Sequence, residues 1–209
     1  MVSLGNFRRF AAKVLAAGLF GVMLSVFSVE ALAGAWILDP RSGCRVWNLF
    51  PLPNETVRWL GACKEGKASG RGKLHWTLNG KPNGRYEGYY VEGYRSGPGT
   101  FYFQNGNRHN GTYHNDLPNG HGEFVYANGN RYAGNFINGA FHGKGAFHFK
   151  NGDRYVGEFV KNTFHGQGTF TRRDGYSITG QFRNGHYVPY GADLGSGRRT
   201  GYQYRPGKR

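Results

Sequence analysis

The chain has 209 residues, of which 36 are Gly and 16% are aromatic, and it carries a formal net charge of +15. Leu, Ile and Val are scarce beyond residue 60, which excludes a helix bundle or an ordinary aliphatic core and leaves Phe, Tyr and Trp to supply the apolar surface. Rings over glycines are a β-sheet device, and so much positive charge predicts attraction to anionic surfaces.

In chain order, the first predicted element is a signal helix over residues 1–33. Arg8, Arg9 and Lys13 precede an apolar run from Val14 to Val29, and ALA at 31–33 has the small-x-small form of a signal peptidase site. The alternative is an uncleaved inner-membrane anchor, but Glu30 closes the run short of the roughly 20 residues that a spanning helix needs. Cleavage after Ala33 takes away three cations and one carboxylate, so the charge falls from +15 to +13. The mature protein is then expected in the periplasm or outside the cell. Nucleic acid is not expected as a partner there; a protein, anionic lipid or an envelope polymer is, and a homodimer remains open.

Residues 34–56 form a predicted N-terminal cap segment. Cys44, just before Arg45, and Cys63 are the only cysteines, and an isolated pair in an oxidising compartment reads as a disulfide. Closing a loop of about 20 residues contributes roughly 3 kcal/mol in the chain-entropy model. Two thiolates without further ligands make a poor metal site, and no cofactor is expected.

Residues 57–188 repeat. From residue 84 the period is 23: Gly88, Gly111, Gly134, Gly157 and Gly180 form one column, Gly97, Gly120, Gly143 and Gly166 a second, and Gly99, Gly122, Gly145 and Gly168 a third. Beside them run the aromatic columns Tyr90, Tyr113, Phe136, Phe159 and Phe182, then Phe101, Phe124, Phe147 and Phe170, with Tyr86, Tyr132 and Tyr155 two residues before the first glycine. Trp59, Gly61, Cys63, Gly70, Gly72, Leu74 and Trp76 make a divergent first copy, offset by the four residues GKPN at 80–83. Five copies and a half copy ending near Tyr187 define a repeat architecture.

Within a copy, Tyr86, Gly88 and Tyr90 alternate, as do Gly97, Gly99, Phe101 and Phe103, so each copy is a hairpin with VEGYRS at its turn and QNGN leading to the next. The expected register sets Tyr90 opposite Gly99, Gly88 opposite Phe101 and Tyr86 opposite Phe103, giving each glycine a ring from the facing strand. The expected fold is all-β, an elongated single-layer meander of stacked antiparallel hairpins roughly 50 Å long. Its other face, with Glu87, Tyr89, Val91, Ala133, Asn135 and Ile137, is expected to meet solvent or a partner. The Cys44–Cys63 bond is expected to tie the cap onto the first hairpin, and residues 189–209 read as a basic flexible tail.

These columns resemble the MORN repeat, whose core is Tyr-x-Gly followed by Gly-x-Gly and an aromatic. RYEG at 85–88 with GPGTF at 97–101, and RYVG at 154–157 with GQGTF at 166–170, match well, whereas RHNG at 108–111 has His109 for Tyr and the last copy has Ile178. CRVWN through VRWLGAC is similar to the leader of exported bacterial members. The resemblance implies a non-catalytic module for scaffolding and membrane-proximal binding; no kinase domain accompanies it.

Arg58, Arg85, Arg108, Arg131 and Arg154 share one column immediately before the Tyr position. They read either as a cationic track for anionic groups or as solvated strand residues that discourage edge pairing. His142 and His165, with His121 and His186, recur one level apart, too far to share a metal, and are expected in solvated loops. No nucleophile has a base at catalytic spacing, and no Gly-x-Ser-x-Gly elbow exists. The sequence therefore points to an exported non-enzymatic scaffold, or else to an accessory subunit that targets a separate envelope enzyme.

Overall fold

The computed structural model describes residues 34–189; the predicted signal helix and nearly all of the predicted tail lie outside them. Two short strands, β1 (Ala35–Leu38) and β2 (Arg45–Asn48), precede the hairpins β3 (Glu55–Lys64) with β4 (Lys67–Leu78), β5 (Lys81–Val91) with β6 (Tyr94–Phe103), β7 (Arg108–His114) with β8 (Leu117–Val125), β9 (Arg131–Ile137) with β10 (Ala140–His148), β11 (Arg154–Val160) with β12 (Thr163–Thr171), and β13 (Ser177–Arg183) with the stub β14 (His186–Val188). All belong to one open 14-stranded sheet, and from β4 to β14 each strand pairs with the next.

Two kinds of turn alternate. Within a copy, both central residues have positive φ, as at Asn138 (48°) and Gly139 (78°) or Lys161 (48°) and Asn162 (69°); turns of that hand match the twist of the flanking strands. Between copies lies the recurrent Asn-Gly-Asn or Asn-Gly-Asp. Its first residue accepts from the N–H two residues on, as Asn128 Oδ1 does from Asn130 (3.0 Å). Its third residue reaches the next copy: Asn107, Asn130 and Asp153 accept from the N–H groups of Ala127, Lys150 and Arg173 at 2.9–3.0 Å. The tripeptide thus stitches one edge of the stack, and these three side chains are buried.

The strand register differs from the expected one. Gly88 faces Gly99 and Tyr86 faces Phe101. The same pairing recurs throughout, so Gly61, Gly72, Gly88, Gly99, Gly111, Gly122, Gly134, Gly145, Gly157, Gly168 and Gly180 face one another as a single line across β3 to β13. The reason is that the ring comes from the same strand, not the facing one. A Tyr side chain spans about two residues of strand, so Tyr86 lies along β5 over both glycines of the pair. A Cβ would come within 2.5 Å of Tyr86 Oη at Gly88 and within 2.6 Å of its ring at Gly99. Trp59 covers Gly61 and Gly72, Tyr132 covers Gly134 and Gly145, and Tyr155 covers Gly157 and Gly168 in the same way. Paired glycines are therefore not wasted; together they make the recess that one ring needs.

The Gly-x-Gly motif follows from this arrangement. Its second glycine floors the ring, while its first carries a bulge: the register slips by two between Gly88–Gly99 and Tyr90–Arg95, and Gly97 sits at φ 92°. Such a bulge coils the strand over the ring face. It frees carbonyls for the phenols: Tyr132 Oη donates to Asn135 O (2.8 Å), and Tyr155 Oη lies 3.1 Å from both Glu158 O and His165 O. Beyond the bulge, Phe141 stacks on Tyr132 at 3.8 Å and Phe164 on Tyr155 at 3.9 Å. Of the predicted core rings, Trp59, Tyr86, Tyr90, Tyr113, Phe124, Tyr132, Phe136, Phe147, Tyr155, Phe159, Phe170 and Phe182 are buried, and Phe101 is half-buried. His142 and His165 lie in β10 and β12 at the bulges, not in loops.

The front of the stack is covered by the β1–β2 hairpin. Its β2 strand lies across the turns of the first two copies, donating from Arg45 N to Gly66 O and from Trp47 N to Gly93 O (both 2.8 Å). Asp39 is buried and accepts from the backbone N–H of Trp59 on edge strand β3 (3.0 Å). Burial pushes its pKa up, yet hydrogen bonds from Ser42, Arg41 and Trp59 hold it below the usual carboxylate value. A Cys44–Cys63 disulfide, with Cα atoms 5.7 Å apart, joins the hairpin to β3.

Gly145→Ala is expected to lower stability by about 1–3 kcal/mol, the range for overpacking, because its Cβ would meet Tyr132 at 2.6 Å. Lys144→Ala, exposed next door, should stay within about 0.5 kcal/mol of the parent in the same urea titration.

Candidate functional site

The pleat puts Arg58, Arg85, Arg108, Arg131 and Arg154 on the face opposite the rings. They form one row with His75, Tyr102, Val125 and His148 between them. Arginines recur on every second strand, roughly 10 Å apart. The row is not uniformly free. Glu123 bridges Arg108 (3.0 Å) and Arg131 (2.9 Å), and Glu87 lies 3.3 Å from Arg85 and 3.7 Å from Lys73. The Arg85 guanidinium also stacks on Tyr102 at 3.8 Å. Arg58 and Arg154 have no ion pair among the described residues, and Arg154 helps Arg131 and burial to hold the His148 pKa below its usual value, burial being the largest cause.

Two shallow troughs run along the glycine line on this polar face. One, of about 590 Å3, is walled by Asn110, His121, Glu123, Ala133 and Lys144. The other, of about 470 Å3, is walled by Leu60, Arg71, Lys73, Glu87 and Thr100. Their floors are paired backbone, which offers contact area but no spare donors. Among the described residues no three His, Cys, Asp or Glu side chains gather as metal ligands.

Sequence reasoning missed a buried polar cluster on the ring face. Arg95 pairs with Asp116 (Nε to Oδ1, 2.9 Å), with side-chain exposures of 14% and 0%. Its guanidinium lies 5.2–5.9 Å from the centroids of Trp76, Tyr86, Phe101 and Tyr113. His109, fully buried, hydrogen-bonds through Nδ1 with Tyr113 Oη (2.7 Å), and its Nε2, like Tyr90 Oη and Asp116 Oδ2, has no hydrogen-bond partner among the described residues. Burial, and then the charge of Arg95, lower the His109 pKa to about 4. Burial raises the Tyr86 phenol to about 12 and lifts Asp116 against the pull of Arg95. The signal was in the columns: Arg95 occupies the place of Phe141 and Phe164, Asp116 that of Asn162, and His109 that of the Tyr whose ring covers the glycine pair. The homologous contacts match, since Arg95 N donates to Asp116 Oδ1 (2.9 Å) as Phe141 N does to Asn162 Oδ1 (2.7 Å).

An open single-layer sheet of stacked hairpins, stabilised by its own rings and bearing shallow troughs along its glycine line, defines a repeat protein that presents a surface. The MORN repeat family model matches residues 64–77, 86–108, 109–131, 132–154 and 155–175, and the chain belongs to that family of binding and scaffolding repeats. A search of curated proteins found no match to the chain.

Two stability effects are expected from the buried cluster. His109 has a folded pKa near 4 against 6.5 unfolded, so the unfolded state takes up the proton first. Stability attributable to it is fully present above pH 6.5 and is lost as pH falls towards 4, by about 3 kcal/mol. His109→Tyr, the residue at this column in three other copies (Tyr86, Tyr132 and Tyr155), should remove that loss when the two chains are compared by urea titration across pH 4–7. Asp116→Ala strands the Arg95 charge and should cost about 3–5 kcal/mol, whereas the double variant Arg95→Phe/Asp116→Asn, which reproduces the Phe141–Asn162 pair, should melt close to the parent.

Proposed function

We propose that this MORN-repeat protein is an exported, non-enzymatic scaffold that docks an acidic protein partner along its polar face. The observation that carries the reading is the Arg row running beside two troughs on the exposed side of the sheet, with Arg58, Arg154 and Lys144 exposed and outside any ion pair among the described residues. A protein surface fits this face better than a bilayer does. Glu87, Glu123 and Glu158 lie among the cations, and pressing carboxylates against lipid headgroups is unfavourable. Thr100, Asn110, Gln167, Thr169, Thr179 and Gln181 supply hydrogen-bonding groups, and Tyr89, Ile137, Val156 and Val160 supply exposed apolar area, the mixture found at transient protein interfaces. Export is supported by the basic, apolar and small-residue pattern of residues 1–33 and by the Cys44–Cys63 disulfide.

Crosslinking the mature protein in its own envelope and identifying the attached chains tests this reading. The triple variant Arg58→Ser/Lys144→Ser/Arg154→Ser removes only exposed cations without an ion pair among the described residues, so it should melt like the parent. It is expected to lose most of the protein crosslinks and to bind the recovered partner with a flatter salt dependence. An unchanged crosslinking pattern would remove the polar face from the reading.

A further inference from the structure

A second surface lies outside the repeats, on the outward side of the β1–β2 hairpin. Trp36 pairs opposite Trp47 and Leu38 opposite Arg45, so these four side chains share one side, while Val46 and Ile37 turn to the core. Leu38 is 51% exposed, Trp36 38%, and Phe50, just beyond β2, 64%. The rings are held in place by one another: Trp36, Trp47 and Tyr94 pack with centroids 5.3–5.8 Å apart, and the Lys67 ammonium sits 5.3 Å from the Trp36 ring. Exposed Arg41, Arg45 and Lys64 and half-buried Lys67 surround or border this hairpin, against Glu65 and Glu92 in the turns beneath it and half-buried Glu55, which accepts from Asn48 Nδ2 (2.6 Å); the only carboxylate within the hairpin, Asp39, is buried and hydrogen-bonded.

We propose that this side of the hairpin is a membrane-interface seat, in which Trp36, Leu38 and Trp47 rest at headgroup level on an anionic bilayer and Arg45 and Lys67 meet the lipid phosphates. Three observations favour a bilayer over other occupants. Apolar and indole side chains project together from one small hairpin, the composition that partitions to the boundary between headgroups and acyl chains. The exposed charge around them is net positive, and an anionic leaflet attracts cations held near its surface. The apolar run Val14–Val29 ends only a few residues before β1, so whether that run is retained or removed, this hairpin is the part of the sheet closest in sequence to a membrane-directed segment. The seat is separate from the polar face, so a bilayer contact at the end of the stack leaves the Arg row clear for a protein.

The test uses the mature chain from Gly34 onward with phosphatidylcholine vesicles, with and without phosphatidylglycerol. Binding is expected only with the anionic lipid, and brominated lipid should quench Trp36 and Trp47 while Trp59 and Trp76, 2% and 7% exposed, stay bright. Leu38→Glu/Lys67→Glu should weaken partitioning by about tenfold or more with an unchanged melting curve, and the triple polar-face variant Arg58→Ser/Lys144→Ser/Arg154→Ser should still bind vesicles. Absence of quenching, equal binding of Leu38→Glu/Lys67→Glu, or loss of binding in the triple variant alone would overturn the proposal. Capture by a soluble glycan in place of vesicles would do the same. If vesicle binding fails while the envelope crosslinks depend on the polar face, only the membrane seat falls.

Discussion

The structure depends on one contact: an aromatic ring laid flat along its own strand over a pair of facing glycines. Any Cβ in that recess would sit within 3 Å of the ring or of the opposite backbone, as at Gly134 and Gly145. The glycines cannot change singly, because each forms half of the floor. Once the ring is seated, its phenol reaches carbonyls at the bulge, and the Phe beyond the bulge stacks on its upper side. Each ring is thus covered above and below by its own and neighbouring copies, which is how a single sheet buries aromatic side chains without a second layer. The line of glycines continues unbroken from β3 to β13 because every strand supplies a floor glycine, and β3, β5, β7, β9 and β11 supply the covering ring as well.

Two backbone seams run along the stack and make neighbouring copies interdependent. At one edge, Asn107, Asn130 and Asp153 accept from the backbone of the next copy. At the other, turn N–H groups reach back, as Gly139 N does to Pro118 O and Asn162 N to Phe141 O. A solenoid joined this way gains stability mainly from nearest neighbours, so its ends need separate treatment. At the front, Asp39 occupies a free donor of β3 and the disulfide secures the hairpin that carries it. At the rear, Ile178 leaves Gly180 without its own tyrosine, and Tyr187 of β14 lies over it instead, 3.0 Å from where a Cβ would be.

Arg95, His109 and Asp116 interrupt the regular packing in the middle of the stack. The ring clusters on either side are distinct, one ending at Tyr113 and the other beginning at Phe124, and His109 touches rings of both. A buried ion pair is weak evidence for stability, since well-packed apolar groups can replace it, and later copies do so with Phe141 and Phe164. The polar face is different in kind. Its charges are exposed, partly neutralised and evenly spaced, so removing one of them changes the stability of the fold little.

The sequence by itself determined the architecture. A 23-residue spacing of Gly and aromatic columns from residue 84 onward points to stacked hairpins, and strand alternation places the Arg column on the face away from the rings. Cys44 and Cys63, the only two cysteines, could be paired from their isolation once the pattern of residues 1–33 had suggested an oxidising compartment. The register was decided only in three dimensions: alternation says which residues share a face but not which face one another across a pair, and both registers keep the rings on the same side. The choice turned on the direction of the Tyr side chain along its strand, which a one-dimensional pattern does not contain. The roles of Asn107, Asn130 and Asp153 and the Arg95–Asp116 pair were likewise hidden, because each joins residues about twenty positions apart that meet only when consecutive copies stack.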